Sequence, residues 1–126
     1  EEQKIIAYYP NGKKSVEYTI ENNDYNGYFT WYYPTGKVYK KTQYVNGLID
    51  GTMEAFTPQG TTYYTYTYKH GQEHGVCIDY YPSGKLKSKY TYFMGDLEGK
   101  TLKYDKSGKL FSTRYYFEDT YYGGNF

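Results

Sequence analysis

Apolar and polar side chains alternate with period two over most of this chain, and glycine, proline or asparagine interrupts the alternation at regular intervals. Tyr28–Tyr33 and Lys37–Val45 read as two such strands, joined by Pro34-Thr35-Gly36. That tripeptide is hairpin chemistry. Proline presets φ for the second turn position, and glycine accepts the left-handed conformation that closes a one-residue bulge. Asn46-Gly47, His70-Gly71 and Met94-Gly95 open a second kind of turn. The strands are rich in Tyr, Thr, Val and Phe, which suit a pleated surface, and no stretch carries a helical period with caps. The pattern predicts an all-β chain without helix.

The interruptions recur every 24 residues, with rows at 8–31, 32–55, 56–79, 80–103 and 104–126 and a leading strand at 1–7. Two glycine columns hold in every row: Gly12, Gly36, Gly60, Gly84 and Gly108, then Gly27, Gly51, Gly75, Gly99 and Gly123. An aromatic opens each row at Tyr8, Tyr32, Phe56, Tyr80 and Tyr104, and proline follows two places later in all but the last. Each row reads as one hairpin, with the ten column glycines as turn residues. The expected architecture is one domain over 1–126: an elongated, twisted antiparallel sheet of five stacked hairpins, with about ten strands.

Plain alternation carried across the Pro-x-Gly turns sorts the side chains into two faces. One collects Tyr32, Tyr44, Phe56, Tyr68 and their counterparts, and is expected to be the buried side. The other is mainly Lys and Thr, interrupted by Phe29, Trp31, Tyr33, Tyr39 and Tyr63. Trp31 and Tyr39 are expected to lie directly across from each other. Trp31, Tyr33, Tyr39 and Tyr63 form the candidate binding patch, because Trp31 gives way to Ala55, Asp79 and Lys103 in later rows and the period does not demand it. Cross-strand pairing that only stabilises the sheet is the competing reading.

Composition constrains the core. Aromatics make up 23% of the chain, 22 of them tyrosine, beside only five Leu, five Ile and four Val. The core is therefore expected to be built from tyrosine, whose hydroxyl wants a partner or water. A net charge of +1 gives nucleic acid no long-range attraction. Lysines do cluster among aromatics at Lys37, Lys40, Lys41 and at Lys85, Lys87, Lys89, a mixture that suits single strands or anionic lipid. Fourteen acids offset them, and strand lysines commonly guard sheet edges. Nucleic acid is set aside, and anionic lipid ranks low. No apolar run approaches the roughly 20 residues that span a bilayer. The chain opens Glu1-Glu2-Gln3, which points to a natural N-terminus removed upstream. Fourteen Lys against the single Arg114, with abundant Tyr, Asn and Ile, point to an A/T-rich bacterial genome.

Catalytic constellations are weak. His70 and His74 are four apart, a zinc spacing on a helix, but here they fall in a turn region and are expected to be solvent-exposed, without metal. The single Cys77 excludes an internal disulfide and a cysteine-based zinc cluster, and it reads as a small packing residue. Asp79, Glu54 and Glu98 form no carboxylate pair of the glycosidase kind. The glycines lie in turns, not at a strand-to-helix junction that would cradle phosphate. No cofactor and no enzymatic activity are expected.

The YYPxGK stretches at Tyr8–Lys13, Tyr32–Lys37 and Tyr80–Lys85, with G-x-x-x-G at Gly47–Gly51, Gly71–Gly75 and Gly95–Gly99, resemble the short bacterial variant of the MORN repeat family. Row three departs at Phe56-Thr57 and Thr61, row one has Asn23 for the first of those glycines, and row five lacks the proline and has Asp119 there. The resemblance implies stacked hairpins and a family that mediates interactions, some bacterial members being labelled antitoxin-like. The expected function is a non-catalytic scaffold for a protein partner, secreted, periplasmic or at the cell surface, with the cytoplasm as the other compartment. A carbohydrate or cell-wall module is the alternative. Choline-binding wall repeats are superficially similar, but they use repeated tryptophans for their cages, and this chain has one.

Overall fold

In the computed structural model, which describes residues 1–125, the chain forms one open antiparallel sheet of 14 strands. They are β1 (Glu2–Tyr8), β2 (Lys14–Glu21), β3 (Asp24–Tyr25), β4 (Gly27–Tyr32), β5 (Val38–Val45), β6 (Leu48–Phe56) and β7 (Thr62–Lys69). Then come β8 (Gln72–Glu73), β9 (Gly75–Tyr80), β10 (Leu86–Phe93), β11 (Asp96–Leu97), β12 (Gly99–Tyr104), β13 (Leu110–Phe117) and β14 (Thr120–Asn125). The spatial order is β1-β2-β4-β5-β6-β7-β9-β10-β12-β13-β14, and the two-residue strands β3, β8 and β11 pair only with β2, β7 and β10. Each of the longer strands is thus hydrogen-bonded to the next longer strand in the chain. No helix occurs among the described residues.

Two turns alternate along the sheet. At the first, the Tyr33 N–H donates to Lys37 O at 2.7 Å and the Gly36 N–H to Tyr33 O at 2.9 Å. Gly36 has φ +96°, which a side chain would resist. The second turn puts both central residues at positive φ, 49° for Asn46 and 85° for Gly47, and this sense of twist matches paired strands. The same conformation is imposed on His70 and Met94, at φ 49° each, residues that reach it only with support from their surroundings.

The second glycine column lies outside both turns. Gly27, Gly75 and Gly99 open β4, β9 and β12, and Gly51 lies within β6. At Gly51, φ is +115°, which requires glycine, and an added Cβ would fall 2.2 Å from Gln43 Oε1 and push that side chain aside.

A one-residue slip in each Pro-x-Gly hairpin overturns the expected sorting of faces. Trp31 pairs with Lys40 while Tyr32 pairs with Val38, so Tyr39 is left over as a bulge and does not lie across from Trp31. Pairing slips in the same way between Ala55 and Phe56 opposite β7, and the residue left over there is Tyr63. Beyond each bulge the side chains reverse faces. Trp31 and Phe29 therefore share a face with Tyr44, Ala55, Tyr64, Tyr66 and Cys77, not with the lysines and threonines of the other side.

The tyrosine core is also corrected. Among the described residues the buried side chains are small: Ala55, Cys77, Thr30, Thr42, Ser88, Thr101 and Ser112. All but Thr30 lie on the Trp31 face. A single-layer sheet has no second layer to close over a ring, so tyrosines stand half-buried beside these small residues and roof them. Neighbouring rings stack, with Tyr64 and Tyr66 at 4.3 Å and 14° and Tyr18 and Phe29 at 4.4 Å and 4°.

Candidate functional site

The Pro-x-Gly edge is laced from one row to the next. The Tyr33 hydroxyl donates to Phe56 O at 2.7 Å and the Tyr81 hydroxyl to Tyr104 O at 2.7 Å, and Tyr9 reaches Tyr32 O in the same way. Lysine does likewise one turn residue further on: Lys13 Nζ donates to Thr35 O at 2.9 Å, Lys37 Nζ to Gln59 O at 3.4 Å and Lys85 Nζ to Ser107 O at 3.3 Å. Row three lacks both partners and substitutes Thr57 and Thr61, whose hydroxyls bond each other at 2.6 Å while Thr61 Oγ1 reaches Pro82 O at 3.4 Å.

The four candidate patch residues separate into two groups. Tyr33, Tyr39 and Tyr63 line one hollow of about 270 Å³ together with Tyr64, Ala55 and Pro58. Tyr33 and Tyr39 meet edge to face, 5.2 Å apart at 69°. Tyr39 and Tyr63 occupy the bulge slot, which explains their exposure of 46% and 54%, because a bulged side chain has no cross-strand partner to cover it. Trp31 belongs elsewhere. It stacks on Phe29 at 4.2 Å, and Lys40 Nζ lies 5.4 Å from its ring centre. Phe29 continues the cluster to Tyr18 and Tyr25.

At the opposite edge, the residue before each of the first four glycines of the second column accepts a bond from the next row's turn. Asn26 Oδ1 takes the Asn46 N–H at 3.2 Å, Asp50 Oδ2 the His70 N–H at 3.4 Å, His74 Nδ1 the Met94 N–H at 3.1 Å and Glu98 Oε2 the Glu118 N–H at 3.4 Å. These bonds hold the left-handed turn residues in place. They also separate the two histidines. His70 is exposed, with Nδ1 3.5 Å from Asp50 Oδ2. His74 is half-buried against Phe93, at 5.2 Å between ring centres, contrary to the expectation that both would be exposed. Among the described residues no three His, Cys, Asp or Glu side chains converge as metal ligands. Burial pushes the Cys77 thiol up, which keeps it protonated and unreactive.

Three segments match the MORN repeat variant at residues 25–46, 73–93 and 97–118, together just over half of the chain. The chain belongs to the MORN repeat variant family. Each matched segment contains one Pro-x-Gly-type hairpin, β4–β5, β9–β10 or β12–β13, so the MORN unit is the hairpin with its bulge. The hairpin β6–β7, where threonines replace the lacing Tyr and Lys, falls outside the matches. A search of curated proteins finds no sequence match. Among the described residues no helix is long and apolar enough to cross a membrane. The structure gives the MORN tyrosine and lysine a physical role: they tie successive turns together. Tyr33 is thus a lacing residue as well as a wall of the hollow. The column Asn26, Asp50, His74, Glu98 escaped the sequence reading because its residue types differ; its one signal was a fixed place before glycine.

Proposed function

We propose that this chain is a non-catalytic repeat scaffold that docks a protein partner on the face holding the Tyr33–Tyr39–Tyr63 hollow. The observation that carries this reading is the bulge slot, which holds Tyr39 and Tyr63 half out of the sheet beside an apolar hollow. Tyrosines held rigidly at such a site suit the anchor role at protein interfaces. The edge-to-face corner of Tyr33 and Tyr39 favours an inserted apolar side chain over a sugar ring, which needs a flat exposed platform. Membership of the MORN family supports a scaffold role in general. The test is to purify the partner from the native host and measure its affinity for Tyr39→Ala and Tyr63→Ala. Each should weaken binding by about 2 kcal/mol or more with little change in stability. Trp31→Ala should do the reverse, lowering stability through loss of the Phe29 stack while binding persists. Affinity unmoved by both tyrosine variants, or specific binding on a glycan array with no protein partner, would overturn the reading.

A further inference from the structure

A second hollow of about 250 Å³ lies on the same face, lined by Tyr66, Glu73, Cys77, Asp79, Tyr90 and Tyr92. It continues the first, because Tyr64 lines one hollow and stacks on Tyr66, which lines the other. We propose that it receives an arginine side chain of the protein partner, an inference that rests on the protein-docking reading above.

Two carboxylates enter the hollow and no cation does. Asp79 accepts a hydrogen bond from the Tyr66 hydroxyl on Oδ1 and one from Ser88 Oγ at 3.3 Å on Oδ2. Glu73 has no side-chain hydrogen bond, and neither carboxylate joins a salt bridge among the described residues. Elsewhere on the sheet the comparable carboxylate Glu17 is met by Lys4 and Lys14. In a chain of net charge +1, a half-enclosed site with two unneutralised carboxylates is a local field of negative sign. The phenols respond to it. Burial first, then the bond to Asp79 and its charge, holds the Tyr66 proton far above the usual phenol range. Burial and then the Glu73 charge push Tyr92 up to about 12.

The aromatic walls choose among cations. Tyr66, Tyr90 and Tyr92 present rings beside the carboxylates, with Tyr90 and Tyr92 6.5 Å apart and tilted by 40°. A planar guanidinium stacks on such rings while its edge donates to a carboxylate, so it uses both features of the site at once. Each Asp79 oxygen keeps a lone pair for it, and Glu73 keeps all of its own. An ammonium is a compact, strongly hydrated charge that satisfies the carboxylates but gains less from the rings. The volume suits one guanidinium and part of its stem.

The test titrates the full chain with the capped tripeptides Gly-Arg-Gly, Gly-Lys-Gly and Gly-Gln-Gly, followed by the tyrosine ring resonances. The arginine peptide should shift Tyr66, Tyr90 and Tyr92 saturably, the lysine peptide should bind several-fold more weakly, and the glutamine peptide should not bind. Glu73→Gln should weaken arginine binding at least fivefold, and Asp79→Asn more. Asp79 anchors Tyr66 and its variant risks misfolding, whereas the Glu73 side chain carries no hydrogen bond among the described residues, so Glu73→Gln keeps the test sharp. Unmoved tyrosine resonances, equal binding of the glutamine peptide, or wild-type affinity in Glu73→Gln would overturn the proposal. If the partner's binding still depends on Tyr39 in that case, the arginine site falls and the scaffold reading stands.

Discussion

Glu17 shows how a single side chain reports on the sheet around it. Its carboxylate meets Lys4 Nζ at 2.8 Å, the Tyr32 hydroxyl at 2.9 Å and Lys14 Nζ at 3.2 Å, tying β1, β2 and β4 together on the face opposite Trp31. The bond from Lys4 first, then that from Tyr32, brings its pKa down to about 2 against an ordinary 4.5. A carboxylate depressed by folding stabilises fully above its ordinary pKa and loses that contribution as pH falls through the depressed one. Stability should therefore fall between about pH 4.5 and 2 in the wild-type chain. In Glu17→Gln that part of the acid transition should be absent, and neutral stability should be lower by on the order of 1 kcal/mol, since the lysines are solvent-screened. Urea melts at several pH values, compared between the two chains, would show it; parallel pH profiles would refute it.

At the scale of the hairpin, the lacing tyrosines and the bulge tyrosines are alike in sequence and opposite in role. Tyr33→Phe and Tyr81→Phe each remove a hydroxyl bonded to the next row's carbonyl and should cost about 1 kcal/mol in denaturant unfolding. Tyr39→Phe removes a hydroxyl that bonds nothing among the described residues and should leave stability unchanged. Equal losses in all three would mean that the lacing carries no energy. The difference also marks what the sequence makes legible. Period, turns and antiparallel order are written in glycine and proline, whose backbone preferences act locally. The slip at Tyr39 and Tyr63 carries no such mark, because Ser15, Lys87 and Phe111 stand in the same repeat position. Register there is decided by pairing with the preceding strand, so plain alternation puts Trp31 on the wrong face and groups it with a patch it does not join. Tyr39 and Tyr63 were found as exposed aromatics, although the reason for their exposure lies in the bulge.

The whole molecule is a sheet whose rows touch only their neighbours, tied along both edges at a fixed distance in the chain. The ties bridge 23 and 22 residues on the Pro-x-Gly edge and 20 on the other. Removing residues 33–56, one full period, should leave both sets of ties intact and give a folded, cooperative β-protein by circular dichroism. Removing residues 45–56 takes out β6 and the Asn46-Gly47 turn, reverses the sense of every later strand and should abolish the transition. If the half-period deletion melts as well as the full one, the edge ties do not govern the fold. The same ties have a consequence for heredity. Because every tie counts residues, a gene for this chain can gain or lose a whole repeat without consulting the rest of the sheet, whereas one extra codon within a repeat puts out of step every tie that spans it. Length in such a lineage should change in quanta, by duplication and loss of entire units, while substitutions drift freely at the slots the ties leave untouched.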